Sequence, residues 1–398
     1  MTASRTFTAR WIFPVVGSPL PNGTITIRGD TIEAVSPRGE RTADEELGNV
    51  ALIPGLVNAH THLDLTGARS LIPPTDPEHF TDWLLGVIAY RRSRTAEQVQ
   101  ADIQKGLKEC LRSGTTLIGD ITADGGSWDA IASAQVRGVV FRELIGSSAE
   151  RAKAAADAGR AWRQAHPATA TCKPALSPHS PYSARDSLLT HGHESSTTAI
   201  HVAESPGELE LINSHSGPFV PFLRTVGAWD ETGLIRSVDQ VIIANRLIAN
   251  ALFVHCNYLE PAALRYFHNG MSIVYCPRTH AAFKHPPHPF RDFLTQGVRV
   301  CLGTDSLASN PDLDLLAEAR FVQQLYPDFP SDQLLRMVTL SGAEALGWSD
   351  VCGSLEAGKS ADLVVVPLPD AESDPDELLL QVHRGERRTM FRGIWRGE

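Results

Sequence analysis

Pro54-Gly55-Leu56-Val57-Asn58-Ala59-His60-Thr61-His62 closes an apolar run that begins at Val50. Read as a strand, the run alternates faces with a period of two, so His60 and His62 project to one side. Two imidazoles on one face at a strand end can grip a single metal ion. An H-x-H pair alone is a weak signal, and its meaning depends on what later strands carry.

Outward from this stretch, apolar strand-like segments recur at 54–62, 115–121, 137–145, 172–179, 198–204, 251–257, 272–277 and 298–305. Helical patterns separate most of them: Ala96–Ser113, Ser127–Arg137, Ala149–Ala165, Ala184–His191, Pro261–Asn269 and Phe290–Gln296, with Asp312–Tyr326 and Asp332–Leu346 after the last. Eight alternations of β and α predict an α/β fold, a parallel sheet closed into a (β/α)8 TIM barrel over 54–351. An open doubly wound sheet is the rival, but no G-x-G-x-x-G follows a strand. The ends read differently. Ile25, Ile27, Ile32 and Val35 sit among turn signals at Pro21-Asn22-Gly23 and Gly29-Asp30, and Gly353–Val366 reads as turn then strand. The long Ser205–Ala249 connection is expected to form a lid or wall.

In a barrel of this kind chemistry sits at the C-terminal strand ends. The fourth strand ends at His179, the fifth at His201 and Glu204, the sixth at His255 and the eighth at Asp305. Singly, each has a plain structural reading: His179 as a turn residue, Asp305 as a helix cap. Together with His60 and His62, at matching ends of five strands, they predict one site. Imidazole and carboxylate ligands with an open position describe a catalytic divalent metal, Zn²⁺ first, with Fe²⁺ also compatible. His60, His62, His201 and Asp305 would hold it and acidify a water. Glu204 would shuttle a proton, and His255 would orient the water and polarise the reacting centre. His191-Gly192-His193 repeats the spacing in a polar segment and reads as surface loop. His280, His285 and His288 lie among prolines and read as loop residues near the site mouth.

Composition narrows the partners. The 398 residues are 42% apolar and 21% charged with a net charge of −10, which argues against nucleic acid, since phosphate binding needs a basic face. No stretch approaches membrane-spanning length. The six cysteines form no C-x-x-C pair, and Cys256, Cys276 and Cys301 lie in strand-like segments as expected of buried thiols. With no signal-type opening, a reducing, cytoplasmic setting is expected, with a small molecule as partner.

The constellation resembles the amidohydrolase superfamily over nearly the whole chain. The likeness rests on P-G-x-x-x-x-H-x-H, Gly114-Thr115-Thr116, the H-x-x-E of the fifth strand, the G-T-D of the eighth, and the terminal G-x-L-x-x-G-K-x-A-D-L-V-V. It implies a small composite β-sandwich domain built from both chain ends, 1–53 plus 352–398. Binuclear members carry a bridging carboxylated lysine at the end of the fourth strand. Here that strand ends in His179, with Lys173 at its start. His201-x-x-Glu204 and His255 resemble the mononuclear deaminases of nucleobases, nucleosides and triazines. In those relatives activated water attacks the amine-bearing ring carbon. By resemblance Glu204 carries a proton to the ring nitrogen, Asp305 takes one from water, and His179 meets the ring or ribose edge.

Thioether-nucleoside deaminases of this group carry C-P-x-S-N on the seventh strand, where this chain has Cys276-Pro277-Arg278-Thr279-His280. Leu63-Asp64-Leu65-Thr66, followed by Phe80, Trp83-Leu84, Val87-Ile88 and Arg91, looks more like aminodeoxyfutalosine deaminases. Trp83 is then a substrate contact. Arg278 and His280 either bind a substrate carboxylate or brace the loop. S-adenosylhomocysteine, methylthioadenosine, guanine, cytosine and triazine remain alternative substrates. Cyclic amide or imide hydrolysis is an alternative reaction, and the resemblance leaves room for a homodimer.

Overall fold

The structure, a computed structural model, describes residues 3–190, 196–381 and 385–397. All eight expected strands form. They are β1 Leu56–Thr61, β2 Thr115–Thr122, β3 Arg137–Leu144, β4 Cys172–Pro178, β5 Thr197–Val202, β6 Asn250–His255, β7 Met271–Tyr275 and β8 Arg299–Leu302. They pair in parallel and in sequence order. Past the end of β8, the backbone N–H groups of Thr304 and Asp305 both donate to the His60 carbonyl, at 3.1 and 3.0 Å, which closes the barrel. Asn58 reinforces the seam by donating to Thr304 Oγ1 at 2.8 Å and accepting from the Thr304 N–H at 3.2 Å. Gly303 permits this approach, because a Cβ there would lie 2.9 Å from both Cβ and O of His60.

Inward-facing side chains fill the barrel. Ala59, Ala175, Ala199, Cys276 and Cys301 alternate with larger Leu117, Phe141 and Val254, and Leu346 and Trp348 pack into the same cluster. Helices wrap the outside. Ala96–Arg112 starts at a capping box between Thr95 and Gln98 and buries Ile103, Leu107 and Cys110. Ala149–Ala165 is capped by Ser148. The expected helix 332–346 is broken into Ser331–Met337 and Leu340–Ala345. The Val57 N–H donates to the Val338 carbonyl at 2.8 Å, a tertiary bond that stops the first helix. Ser127–Arg137 shortens to Trp128–Ala132 because Arg137 already belongs to β3, and Pro261–Tyr266 is 3-10 rather than α. Residues 205–249 hold short helices, among them Pro206–Ser214, Phe219–Thr225 and Val238–Ala244. His191-Gly192-His193 lies outside the described residues.

Both chain ends build β structure beside the barrel. Ser4–Thr8, Thr24–Arg28, Thr31–Ser36 and Glu45–Glu46 form one sheet. In the second, Leu363–Pro367 pairs antiparallel with Val50–Pro54, joining the two ends of the chain. Phe7, Ile12, Ile25, Leu52, Leu363 and Trp395 share the core between them. Asp362 of the terminal motif forms a buried ion pair with Arg137 of β3, tying this layer to the barrel. All six cysteines are buried and unpaired. Among the described residues no helix is long and apolar enough to cross a membrane.

Candidate active site

The C-terminal strand ends bring the expected residues into one buried cluster. His62 Nε2 lies 3.3 Å from His201 Nε2, and Asp305 Oδ1 lies 3.5 Å from His60 Nε2 and 3.8 Å from His62 Nε2. His255 Nε2 is 3.3 Å from Glu204 Oε1. One ligand atom from each of His60, His62 and Asp305, and likewise from each of His60, His201 and His255, falls within 4.8 Å of its fellows.

The strand ends that carry these groups are bent out of regular geometry. Ala203, His255, Cys256 and Asp305 all have positive φ, at 51, 70, 55 and 57°. Left-handed backbone costs a non-glycine residue about 1–2 kcal/mol, so neighbours must hold it. The Glu208 carboxylate accepts the N–H groups of Ala203 at 3.0 Å and Glu204 at 2.9 Å. His288 Nε2 donates to the His255 carbonyl at 2.7 Å. Strain concentrated at these ends is what a functional site shows.

A cavity of about 60 Å³ opens on the cluster, lined by His62, His201, Glu204, His255 and Asp305 on its polar side. Its apolar wall is Leu65, Phe80, Trp83, Leu84 and Val87. Trp83 packs on Phe283 and Phe80, and Phe219 and Phe222 from the 205–249 connection join the same cluster. That connection is therefore outer wall. At about 60 Å³ the cavity is well below an ordinary ligand pocket of about 300–1,000 Å³.

Comparison with known proteins agrees with this architecture. The model of the Amidohydrolase family matches residues 51–397. The chain belongs to the amidohydrolase family. It is 31% identical over 383 residues to the 5-methylthioadenosine/S-adenosylhomocysteine deaminase of Moorella thermoacetica, covering 90% of this chain and 84% of that protein. It is 25% identical over 366 residues to the aminodeoxyfutalosine deaminase of a Nitratiruptor species, covering 89% and 88%. The crystal structure of Helicobacter pylori aminofutalosine deaminase superposes with a TM-score of 0.84 at 22% identity, covering 99% of this chain and all of that one.

The donor set of this amidohydrolase fits a divalent ion. Both ring nitrogens of His60 and Nδ1 of His62 are buried without a hydrogen-bond partner. Burial, with His60 adding, pushes His62 down to about 3, and burial pushes His201 well below the usual histidine range, so both offer neutral nitrogen at pH 7. Burial would raise Asp305, but the His60 ring 3.5 Å away, with His255 and His62 adding, holds it well below the usual carboxylate range. Lys173 donates to the Gly347 carbonyl at 2.7 Å and stacks on Trp348 at 4.0 Å, so no lysine bridge forms at the end of β4.

His179 and Trp83 line the cavity; Arg278 does not. Arg278 is a brace: it donates to Glu318 Oε1 at 2.8 Å and to Asp312 Oδ1 at 2.6 Å, and with both carboxylates engaged it has no arm for a substrate. His280 packs against Tyr275, His285 and His288, also outside the cavity lining. Glu143 at the end of β3 lines the cavity, and sequence reasoning misses it. Its place at a barrel strand end is the available signal.

Proposed function

We propose that this amidohydrolase is a metal-dependent deaminase of an adenine-type nucleoside, releasing ammonia, with aminodeoxyfutalosine as leading substrate. The observation that carries the reading is the buried Glu204–His255 pair, 3.3 Å apart, beside the His/Asp cluster. Deamination needs a proton delivered to the ring nitrogen. Burial, with the charges of Asp305 and Glu208 adding, pushes Glu204 well above the usual carboxylate range, so it holds a proton to give. His60, His62, His201 and Asp305 would hold the ion, for which these nitrogen and oxygen donors suit Zn²⁺ first and Fe²⁺ also. When bound, the ion supplies a water acidic enough to act as nucleophile near neutral pH. Asp305 would take a proton from the attacking water and return it to the departing amine, and Glu204 would recover its proton from the hydroxyl left on the ring carbon. His255, fixed by His288 through its carbonyl, orients the water and polarises the reacting carbon. Trp83 offers the purine a flat apolar face, and His179 meets the ring or ribose edge.

Leu65, Trp83, Leu84, Val87 and Arg91, from the segment that resembles aminodeoxyfutalosine deaminases, line the cavity and support that substrate. Arg278, engaged elsewhere, lends no support to a substrate carboxylate. The relative at 31% identity keeps methylthioadenosine and S-adenosylhomocysteine next in order. A cytoplasmic setting fits six buried, unpaired thiols. The test is Glu204→Gln, which should retain metal and fold while kcat falls by about 10²–10⁴-fold, the usual range for a general acid–base group. Near wild-type turnover in that variant would remove Glu204 from the mechanism.

A further inference from the structure

In the lining of the same cavity, beside His179, the Glu143 carboxylate is half satisfied. Its Oε2 accepts from Arg91 Nη1 at 2.8 Å. Its Oε1 is buried, has no hydrogen-bond partner, and sits 3.7 Å from His179 Nε2. His179 is pinned from behind, Nδ1 lying 2.6 Å from Ser183 Oγ and 3.1 Å from Ser180 Oγ. The other arm of Arg91 reaches Asp64 Oδ2 at 3.2 Å. The wall helix adds a second open group, since Trp83 Nε1 is also buried without a partner and Trp83 lines the same cavity.

A buried carboxylate oxygen with an open lone pair is costly, and folded proteins rarely leave one. Burial alone would let Glu143 escape by protonating. Arg91 prevents this and holds the group at about 2. The chain thus maintains an anionic acceptor in the cavity lining. Only a donor can meet it. A phosphate or carboxylate oxygen brought to Oε1 would meet a like charge with no proton between them. On a nucleoside whose base reaches Glu204 and His255, the donors at the far end of the base are sugar hydroxyls.

We propose that Glu143 Oε1 accepts a sugar hydroxyl of the substrate, making this carboxylate the residue that selects ribosides over deoxyribosides and refuses an anionic group there. Resting on the nucleoside deaminase reading, this assigns that site its sugar specificity. Arg91 is the positioning residue that keeps the acceptor charged.

The test compares kcat/KM for the adenine nucleoside turned over fastest with its 2′-deoxy and 3′-deoxy counterparts, in wild type and Glu143→Gln. In wild type, removing the contacted hydroxyl should lower kcat/KM about 10- to 100-fold, the range for a hydrogen bond to a charged group. In Glu143→Gln the amide oxygen must face Arg91, which has donors alone, so the NH2 group turns into the cavity. The ratio should then collapse to about threefold or less, because the riboside loses more rate than the deoxynucleoside. A purely structural role for Glu143 would slow all three nucleosides equally and leave the ratio intact, which overturns the proposal. Should Glu143→Gln fail to fold, Glu143→Asp keeps the pairing with Arg91 but withdraws the oxygen, and the same collapse is expected. A wild type indifferent to both hydroxyls overturns the proposal without any variant. Ammonia release with an unchanged ratio sinks the sugar contact alone. Silence on every adenine nucleoside sinks the deaminase reading and this one with it.

Discussion

Gly303→Ala tests whether barrel closure sets the metal site. The new Cβ would sit 2.9 Å from both Cβ and O of His60 and 3.1 Å from its N. Relaxed carbon contacts lie near about 3.5–4.0 Å, so β8 and β1 must part by roughly half an ångström or more. His60 cannot yield by rotating a side chain, because two of the three atoms struck are backbone. The bonds from Thr304 and Asp305 N–H to the His60 carbonyl, now 3.1 and 3.0 Å, lengthen with it. Both His60 and Asp305 belong to the donor cluster, so the parting opens that cluster directly. Overpacking of this kind costs about 1–3 kcal/mol. Disturbed support of a metal ligand typically lowers affinity about 10- to 100-fold. The assay is thermal melting of the metal-free protein, with metal affinity measured by competition against a chelator. A Gly303→Ala variant with wild-type melting and wild-type affinity would refute the link between the seam and the site.

Metal-free protein should lose stability as pH falls. His62 and His255 take up protons at about 3 when folded, against 6.5 for a free histidine, with burial the main cause in each. The unfolded chain therefore binds protons first, so this stability is present above pH 6.5 and is lost progressively toward pH 3. Each histidine costs about 2 kcal/mol by about pH 5, and a urea midpoint unchanged between pH 7 and 5 would contradict it. Arg278→Ala should leave KM within about twofold but cost about 1.5–3 kcal/mol, because buried Glu318 loses its cation and keeps only the residue-278 N–H and Asn310 Nδ2 as donors. A large rise in KM with unchanged stability would return Arg278 to the substrate.

The barrel is legible because its strands are apolar runs with polar residues at one end. His60, His62, His201 and Asp305 fall at those ends and converge as expected. Glu143 escapes notice because a single charge at a strand end reads as solvated, and its partner Arg91 lies 52 residues away in sequence. Arg278 misleads because nothing local tells which way a long side chain reaches; Glu318 and Asp312 claim it from the next layer. The helix break after Met337 is tertiary in origin, set by the Val57 N–H donating to the Val338 carbonyl, and leaves no mark in the local pattern.

The most direct measurement is ammonia release by zinc-loaded and metal-stripped protein from aminodeoxyfutalosine, methylthioadenosine, S-adenosylhomocysteine and adenosine, with guanine and cytosine as controls. Rapid release from an adenine nucleoside, lost on stripping and restored by zinc, is the predicted result. Release that survives stripping, or silence on all four nucleosides with metal bound, would contradict it.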